Sequence, residues 1–166
     1  MPESARQELI AAIKDERART KRVLNAFAPS ASELRPHPTS MCARELVHLF
    51  AMEAGLGTMA ANGTLDISKM GGMPPAPATW GEAMKAFDAS YDGLIKALEG
   101  TTDADLMTTT IFLTGPKQTG PMRKIDIVRF MLNDHIHHRG QLSVYLRMSG
   151  GKVPSIYGPS KDEPWR

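Results

Sequence analysis

The sequence contains only one cysteine, Cys42, in 166 residues. A single cysteine excludes an intramolecular disulfide and any zinc site that is built from several thiolates. Such sparse use of cysteine is typical of proteins in a reducing compartment. The sequence therefore predicts a cytoplasmic location.

The chain also lacks an excess of charge of one sign. Its 20 basic residues are nearly matched by 18 acidic residues, which leaves a formal net charge of +2. So weak a charge argues against binding to nucleic acid or to an anionic membrane surface. No apolar run reaches the length of a membrane span, and the first ten residues, MPESARQELI, lack the apolar core of a signal peptide. We therefore expect neither a nucleic acid nor a membrane as partner.

What remains is the composition of an ordinary globular protein, with 42% hydrophobic and 23% charged residues. A chain of this length can bury a substantial core. The simplest division of the sequence is one domain that covers residues 1–166.

Apolar residues at helical spacing predict four helices, at about 4–28, 40–57, 79–99 and 121–149. The pairs Ser4/Gln7 and Thr79/Glu82 have the spacing of a capping box and mark two of the starts. Glycines 55 and 57 are expected to end the second helix, and Pro121 is expected to open the fourth. The third helix carries the clearest apolar stripe, which consists of Trp80, Met84, Phe87, Tyr91, Leu94 and Leu98.

Three stretches are predicted to be non-helical. The long connection between helices two and three carries GGMPPAPAT, which is too rich in proline and glycine to be helical. The β-branched stretch 107–113, followed by a Gly-Pro turn, predicts a short extended segment or hairpin before the last helix. Residues 150–166 form an extended tail. The predicted fold class is thus all-α, an antiparallel four-helix bundle with these insertions.

The segment NDHIHHRGQL holds three of the five histidines of the chain. On a helix, Asp134 and His138 lie one turn apart on the same face, within an apolar row. His135 falls in a neighbouring apolar row, whereas His137 falls outside both. On the second helix, His48 lies on or beside the apolar side.

Two inward histidines and one inward carboxylate are suited to a divalent metal such as Zn²⁺, Ni²⁺, Fe²⁺ or Mn²⁺. Three protein ligands would leave positions open for water or substrate. A simpler interpretation fits the spacing equally well: the histidines are hydrogen-bonded core residues, and Asp134 with His138 is a helix-stabilising pair.

The C-terminal segment, with HHRGQLSVYLR followed by VPSIYG, closely resembles the signature of the DinB family, part of the DinB/YfiT-like superfamily of metalloenzymes. His48, in ARELVHLF, stands where that family has its ligand on the second helix. The resemblance extends over the whole chain. It implies a four-helix bundle, often a homodimer, that binds nickel or zinc through one residue of helix two and two of helix four.

The sequence departs from the family pattern at one ligand position. Many members carry NHxxHHRGQ, so Asp134 stands where they have a histidine. A related branch, the thiol-dependent isomerases, is similar to this chain in accepting a carboxylate at this position. The resemblance therefore implies the ligands His48, Asp134 and His138, with His135 in reserve. Zn or Ni is the expected metal, with Mn or Fe as alternatives that an anionic ligand set favours.

Three further residues in this region have two interpretations each. Arg139 and Gln141 would orient the ligands, or would tie the tail to the bundle. Tyr157 would contact substrate, or would fill space as a half-buried aromatic residue.

The resemblance also implies a function. A divalent metal and a low-molecular-weight thiol would serve a transferase that acts on a small electrophilic substrate in detoxification or stress response. The alternatives are a metal-dependent hydrolase and a non-catalytic dimeric bundle that has a structural metal.

Overall fold

The computed structural model describes residues 4–166, within which five helices and two strands form. The elements, in chain order, are α1 (Ala5–Ala26), α2 (Ala43–Ala61), α3 (Trp80–Glu99), α4 (Asp103–Leu106), β1 (Thr109–Gly115), β2 (Gln118–Arg123) and α5 (Lys124–Met148). Single 3₁₀ turns follow α1, at Pro29–Ala31, and α2, at Ile67–Lys69. None of the helices in this range is long and apolar enough to cross a membrane.

The chain is mostly helical, as predicted, but the all-α description needs correction. Strands β1 and β2 pair in an antiparallel sheet, which confirms the expected hairpin. Pro121 pairs with Ile111 in this sheet and does not open the last helix. The register continues to Thr109 opposite Arg123, so α5 begins only at Lys124. Hydrogen bonds between the two strands set the boundary between β2 and α5. The local sequence signal for a helix start does not include these bonds.

The second helix is longer than predicted, because neither of its glycines ends it. Gly55 and Gly57 both lie inside α2, which continues to Ala61. A Cβ atom at Gly57 would lie 3.0 Å from a methyl carbon of Leu94. This glycine therefore permits the close approach of α3 and has no role in terminating α2.

The two predicted capping boxes place the starts of α1 and α3 correctly. The backbone N–H of Ser4 donates to Gln7 Oε1 at 2.9 Å, and that of Gln7 donates to Ser4 Oγ at 3.3 Å. Thr79 and Glu82 form the same reciprocal pair before α3. Each box satisfies backbone donors that the first turn leaves without partners.

The end of α5 turns the chain back toward the other helices. Gly150 has a φ of +81°, in the left-handed region that glycine adopts without strain. Its N–H donates to the carbonyl of Arg147 at 3.1 Å, and the N–H of Gly151 donates to that of Leu146 at 2.9 Å. These two bonds form a Schellman motif, which starts the tail.

The core lies between the four long helices. α2 packs most extensively against α3 and α5, while α1 packs against α5 and α3. Phe50 and Phe87 meet edge to face at its centre, with ring centroids 6.3 Å apart. The Tyr145 hydroxyl donates to the Met41 carbonyl at 3.1 Å and joins the end of α5 to the start of α2. The two helices that carry the candidate site are thus held side by side.

Candidate metal centre

Three side chains from α2 and α5 converge on one point. Glu53, Asp134 and His138 each offer a ligand atom, and these atoms lie within 4.8 Å of one another. His138 Nε2 is 3.5 Å from Asp134 Oδ1, one helical turn away on α5. Such distances approach those between neighbouring ligands of one bound cation.

Glu53 is the most unusual member of this group. It is only 2% exposed, and neither carboxylate oxygen has a hydrogen-bond partner. Burial, reinforced by the neighbouring Asp134 carboxylate, raises the pKa of Glu53 to about 9. With this pKa the buried carboxyl group is protonated at neutral pH, and a bound cation is one of the few groups that would replace the proton and compensate the buried charge. The donor set therefore fits a divalent metal.

The other two members of the group, Asp134 and His138, are partly exposed to solvent. The Asp134 side chain is 39% exposed and the His138 side chain 18% exposed. The group is therefore open on the side of α5, with the buried Glu53 carboxylate beneath. A small ligand can reach the group from this side.

Hydrogen bonds from the next turn of α5 hold His138. His138 Nδ1 is 3.2 Å from Gln141 Oε1, and Gln141 Nε2 is 2.9 Å from His137 Nε2. His137 itself is exposed, off both apolar rows of the helix. Gln141 thus contacts the candidate ligand His138 directly, as the interpretation that it orients a ligand requires.

The structure does not bring His48 to this group. His48 Nε2 lies 3.0 Å from the carbonyl oxygen of Pro74, in the long connection that precedes α3. Its Nδ1 is buried without a partner. Glu53 comes five positions after His48, which places their side chains about 140° apart around α2. The ring therefore faces the connection, while Glu53 faces Asp134.

His135, the reserve ligand, is fully buried and its two ring nitrogens have other partners. Nε2 is 2.6 Å from Thr20 Oγ1, and Nδ1 is 2.6 Å from the Tyr91 hydroxyl. Burial, with further contributions from the nearby cations, lowers the pKa of His135 to about 3. The neutral ring therefore links α5 to α1 and α3 within the core, as the simpler interpretation of the sequence holds.

Arg139 and Tyr157 take part in a hydrogen-bond network on the other side of α5. Arg139 is 1% exposed and donates to Glu16 Oε2 at 2.5 Å and to the Tyr157 hydroxyl at 2.6 Å. The same hydroxyl donates to Glu16 at 2.8 Å. The side chain of Arg139 therefore ties the tail and α1 to α5, and the Tyr157 hydroxyl is engaged within this network.

Glu53 is the member of the group that sequence reasoning missed. A signal was present, because Glu53 follows Leu46 and Phe50 at helical spacing on the apolar side of α2. Charged residues are rarely buried unless they are paired or bind a metal. An acidic residue within that apolar row could thus have been recognised as a candidate ligand.

Comparison with known proteins adds a family and a fold. A family model described as DinB family matches residues 1–166. The uncharacterized protein YrdA of Bacillus subtilis is 27% identical over 111 residues, which are 66% of this chain and 64% of that protein. The match therefore spans less than two thirds of this relative.

Two solved structures have a similar fold. A DinB-like protein from Bacillus cereus has a TM-score of 0.70 at 21% identity, over 90% of this chain and 95% of that chain. A DinB-like protein from Bacillus subtilis has a TM-score of 0.66 at 19% identity, over 87% and 94% of the respective chains.

Proposed function

The chain belongs to the DinB family over residues 1–166, and we propose that it is a metal-dependent enzyme. Glu53, Asp134 and His138 would hold one divalent cation between α2 and α5. The observation that carries this proposal is the Glu53 carboxylate, which is buried without a hydrogen-bond partner and adjoins the other two groups. A cation that replaces the proton of this carboxyl group would give its oxygens the partner that they lack.

The donor set bears on the kind of metal. Two carboxylates and one imidazole form a harder and more anionic set than three histidines. Relative to three histidines, this set shifts the preference toward Mn²⁺ and Fe²⁺, while its imidazole suits Zn²⁺ and Ni²⁺. When bound, such a cation supplies Lewis acidity and a positive charge that favours the anionic form of a water or a thiol.

The residues of the chain define how reactants approach. Glu53 is the buried member of the group and would hold the cation from inside, while the partly exposed Asp134 faces solvent. Gln141 orients the imidazole of His138. Reactants would therefore approach from the partly exposed Asp134 side of the group.

We propose transfer of a low-molecular-weight thiol to a small electrophile as the reaction, in a detoxification or stress-response role. The thiol would lose its proton to solvent, and its sulfur would form a bond to the electrophilic carbon. The bond from that carbon to its leaving group would break, and the leaving group would depart with the bonding electron pair. Support for this reaction comes from the family resemblance and from the carboxylate of Asp134. The thiol-dependent branch of the family is similar in accepting a carboxylate at this ligand position.

Hydrolysis is the second candidate, and the donor set favours it. Water is a harder ligand than a thiol, so a site with two carboxylates matches water better. The rival to both is a non-catalytic homodimer with a structural metal. The exposed side chains of Val144 and Met148, on one face of α5, would offer such a dimer an apolar contact.

Metal content is the first test. Protein purified without chelator and incubated with zinc, manganese or ferrous salt should hold close to one equivalent, measured by elemental analysis after desalting. Glu53→Gln and His138→Ala should each lose most of this metal, because each removes one ligand. The matched controls are the exposed residues Glu8→Gln and His37→Ala, which should retain it.

The outcome separates the proposals. A wild-type chain that takes up no metal, or a Glu53→Gln variant that retains all of it, would refute the site. If metal binds, thiol consumption with an electrophile panel and ester hydrolysis distinguish transferase from hydrolase. Stoichiometric metal without either activity, in a dimer by light scattering, would support the structural alternative.

A further inference from the structure

We infer that Gln141 is a positioning residue that selects the tautomer of His138, and that His137 holds Gln141 in the orientation required. The inference rests on the proposed metal site and concerns how its imidazole ligand is prepared. It follows from the two hydrogen bonds of one amide group.

Gln141 bridges two histidines on the surface of α5. Its Oε1 lies 3.2 Å from His138 Nδ1, and its Nε2 lies 2.9 Å from His137 Nε2. An amide oxygen only accepts and an amide nitrogen only donates. His138 therefore carries its proton on Nδ1, and His137 presents a lone pair at Nε2.

This assignment determines which nitrogen of His138 can bind a cation. A neutral imidazole with a proton on Nδ1 has its lone pair on Nε2. That nitrogen lies 3.5 Å from Asp134 Oδ1, within the group that includes Glu53. The free lone pair thus faces the two carboxylates.

Asp134 makes this selection necessary. A carboxylate near Nε2 attracts the imidazole proton to that nitrogen, where it blocks a cation. The Gln141 oxygen opposes this by accepting the proton at Nδ1. If the amide were reversed, its NH₂ group would face Nδ1 and would favour the blocked tautomer. His137 opposes that reversal when its Nε2 is unprotonated, because this nitrogen then accepts from the amide NH₂ group and would have no donor facing it in the reversed orientation.

The first test reads the tautomer directly, without metal. Long-range ¹H–¹⁵N spectra of the metal-free protein, taken at about pH 8.5, above the ordinary titration range of histidine, distinguish protonated from unprotonated ring nitrogens. We expect the Nδ1–H form of His138 in the wild type and in Gln141→Glu, which keeps an acceptor. Gln141→Leu should shift His138 toward the Nε2–H form. An unchanged tautomer in Gln141→Leu would overturn the inference.

The second test measures metal affinity with zinc by competition against a chelator. Gln141→Leu should weaken binding by about 10-fold to 100-fold, as loss of a partner that orients a metal ligand commonly does. Gln141→Glu should restore the affinity, and His137→Ala should retain full stoichiometry with a smaller loss. Gln118→Leu, in the exposed hairpin, is the matched control and should match the wild type.

The two tests separate this inference from the proposed site. Wild-type protein that binds no zinc would refute the site and leave the tautomer assignment to the spectra. Zinc binding equal to the wild type in Gln141→Leu would refute the positioning role and leave the site intact. Failure of Gln141→Glu to restore the affinity lost in Gln141→Leu would also contradict that role.

Discussion

At the scale of single residues, the buried Arg139–Glu16 pair illustrates how the core restricts polar groups. Both residues are nearly inaccessible to solvent, and their charges neutralise each other across α5 and α1. Such a pair contributes less than its contacts suggest, because both charges have left water. Removal of Arg139 alone, however, leaves the buried Glu16 with only the partly exposed Arg19 as a charged partner.

We therefore expect Arg139→Leu to lower the free energy of unfolding by about 3–5 kcal/mol. The double variant Glu16→Leu with Arg139→Leu should recover most of this loss, since no buried charge is left unpaired and the freed Arg19 is partly exposed to solvent. Urea unfolding measures both. Arg123→Leu, which breaks the exposed pair with Asp126, should cost less than about 1 kcal/mol. A double variant no more stable than Arg139→Leu would contradict the argument.

His135 predicts a specific pH dependence of stability. Its pKa is lowered from 6.5 to about 3 in the folded protein. Between these values the unfolded chain binds a proton that the folded chain does not, so stability falls as pH falls. Above pH 6.5 the ring is largely neutral in both the folded and the unfolded chain, so it causes no loss of stability there. While the folded ring stays neutral, the slope of this loss approaches about 1.4 kcal/mol per pH unit.

The variant His135→Gln tests this sign. We expect it to be less stable than the wild type near neutral pH, because two buried hydrogen bonds are perturbed, but to lose less further stability on acidification. Urea unfolding between about pH 7 and pH 4 gives the two slopes. Parallel slopes would show that His135 is not the group responsible.

At the scale of elements, the capping signals were predictive because they depend on a few consecutive residues. Thr79→Ala should lower stability by about 1 kcal/mol, since the N–H of Glu82 loses its acceptor at the start of α3. Thr79→Ser should remain close to the wild type. Thermal unfolding of the three proteins measures the effect, and a serine variant as unstable as the alanine variant would argue against the cap.

Element boundaries that depend on distant partners were harder to predict. Pro121 carries a valid local signal for a helix start, yet it pairs with Ile111 in the hairpin. Gly57 carries a valid signal for a helix end, yet it allows Leu94 of α3 to approach α2. In both cases a contact from elsewhere in the chain overrides the local preference.

At the scale of the whole molecule, the tail holds α1 and α5 together. Arg22 donates to the Ser155 carbonyl at 2.8 Å and forms an ion pair with Glu163 at 2.6 Å. Arg147 pairs with Asp162, and Tyr157 bonds to the Arg139–Glu16 pair. These contacts attach an extended segment to two helices that lie far apart in sequence.

Tyr157→Phe should lower stability by about 1 kcal/mol, because its hydroxyl bonds both members of a buried charged pair while its ring remains largely exposed. The tail should also become more sensitive to limited proteolysis. Metal content should not change, since the hydroxyl lies outside the candidate site. Wild-type resistance to proteolysis in this variant would show that the other tail contacts suffice.

The sequence by itself determined features that arise from neighbouring residues. The mostly helical structure follows from apolar periodicity, and the meeting of Asp134 with His138 follows from their spacing of four on one helix. The exposure of His137 follows from the same periodicity. These features need no knowledge of what packs against the helix.

Only the tertiary structure decided which other residues join that pair. Glu53 does and His48 does not, because the rotation of α2 about its axis turns one toward α5 and the other toward Pro74. His135 became a core residue because Thr20 and Tyr91, from two other helices, meet its ring. The rotation and neighbours of a helix result from packing the whole core at once, which no local pattern specifies.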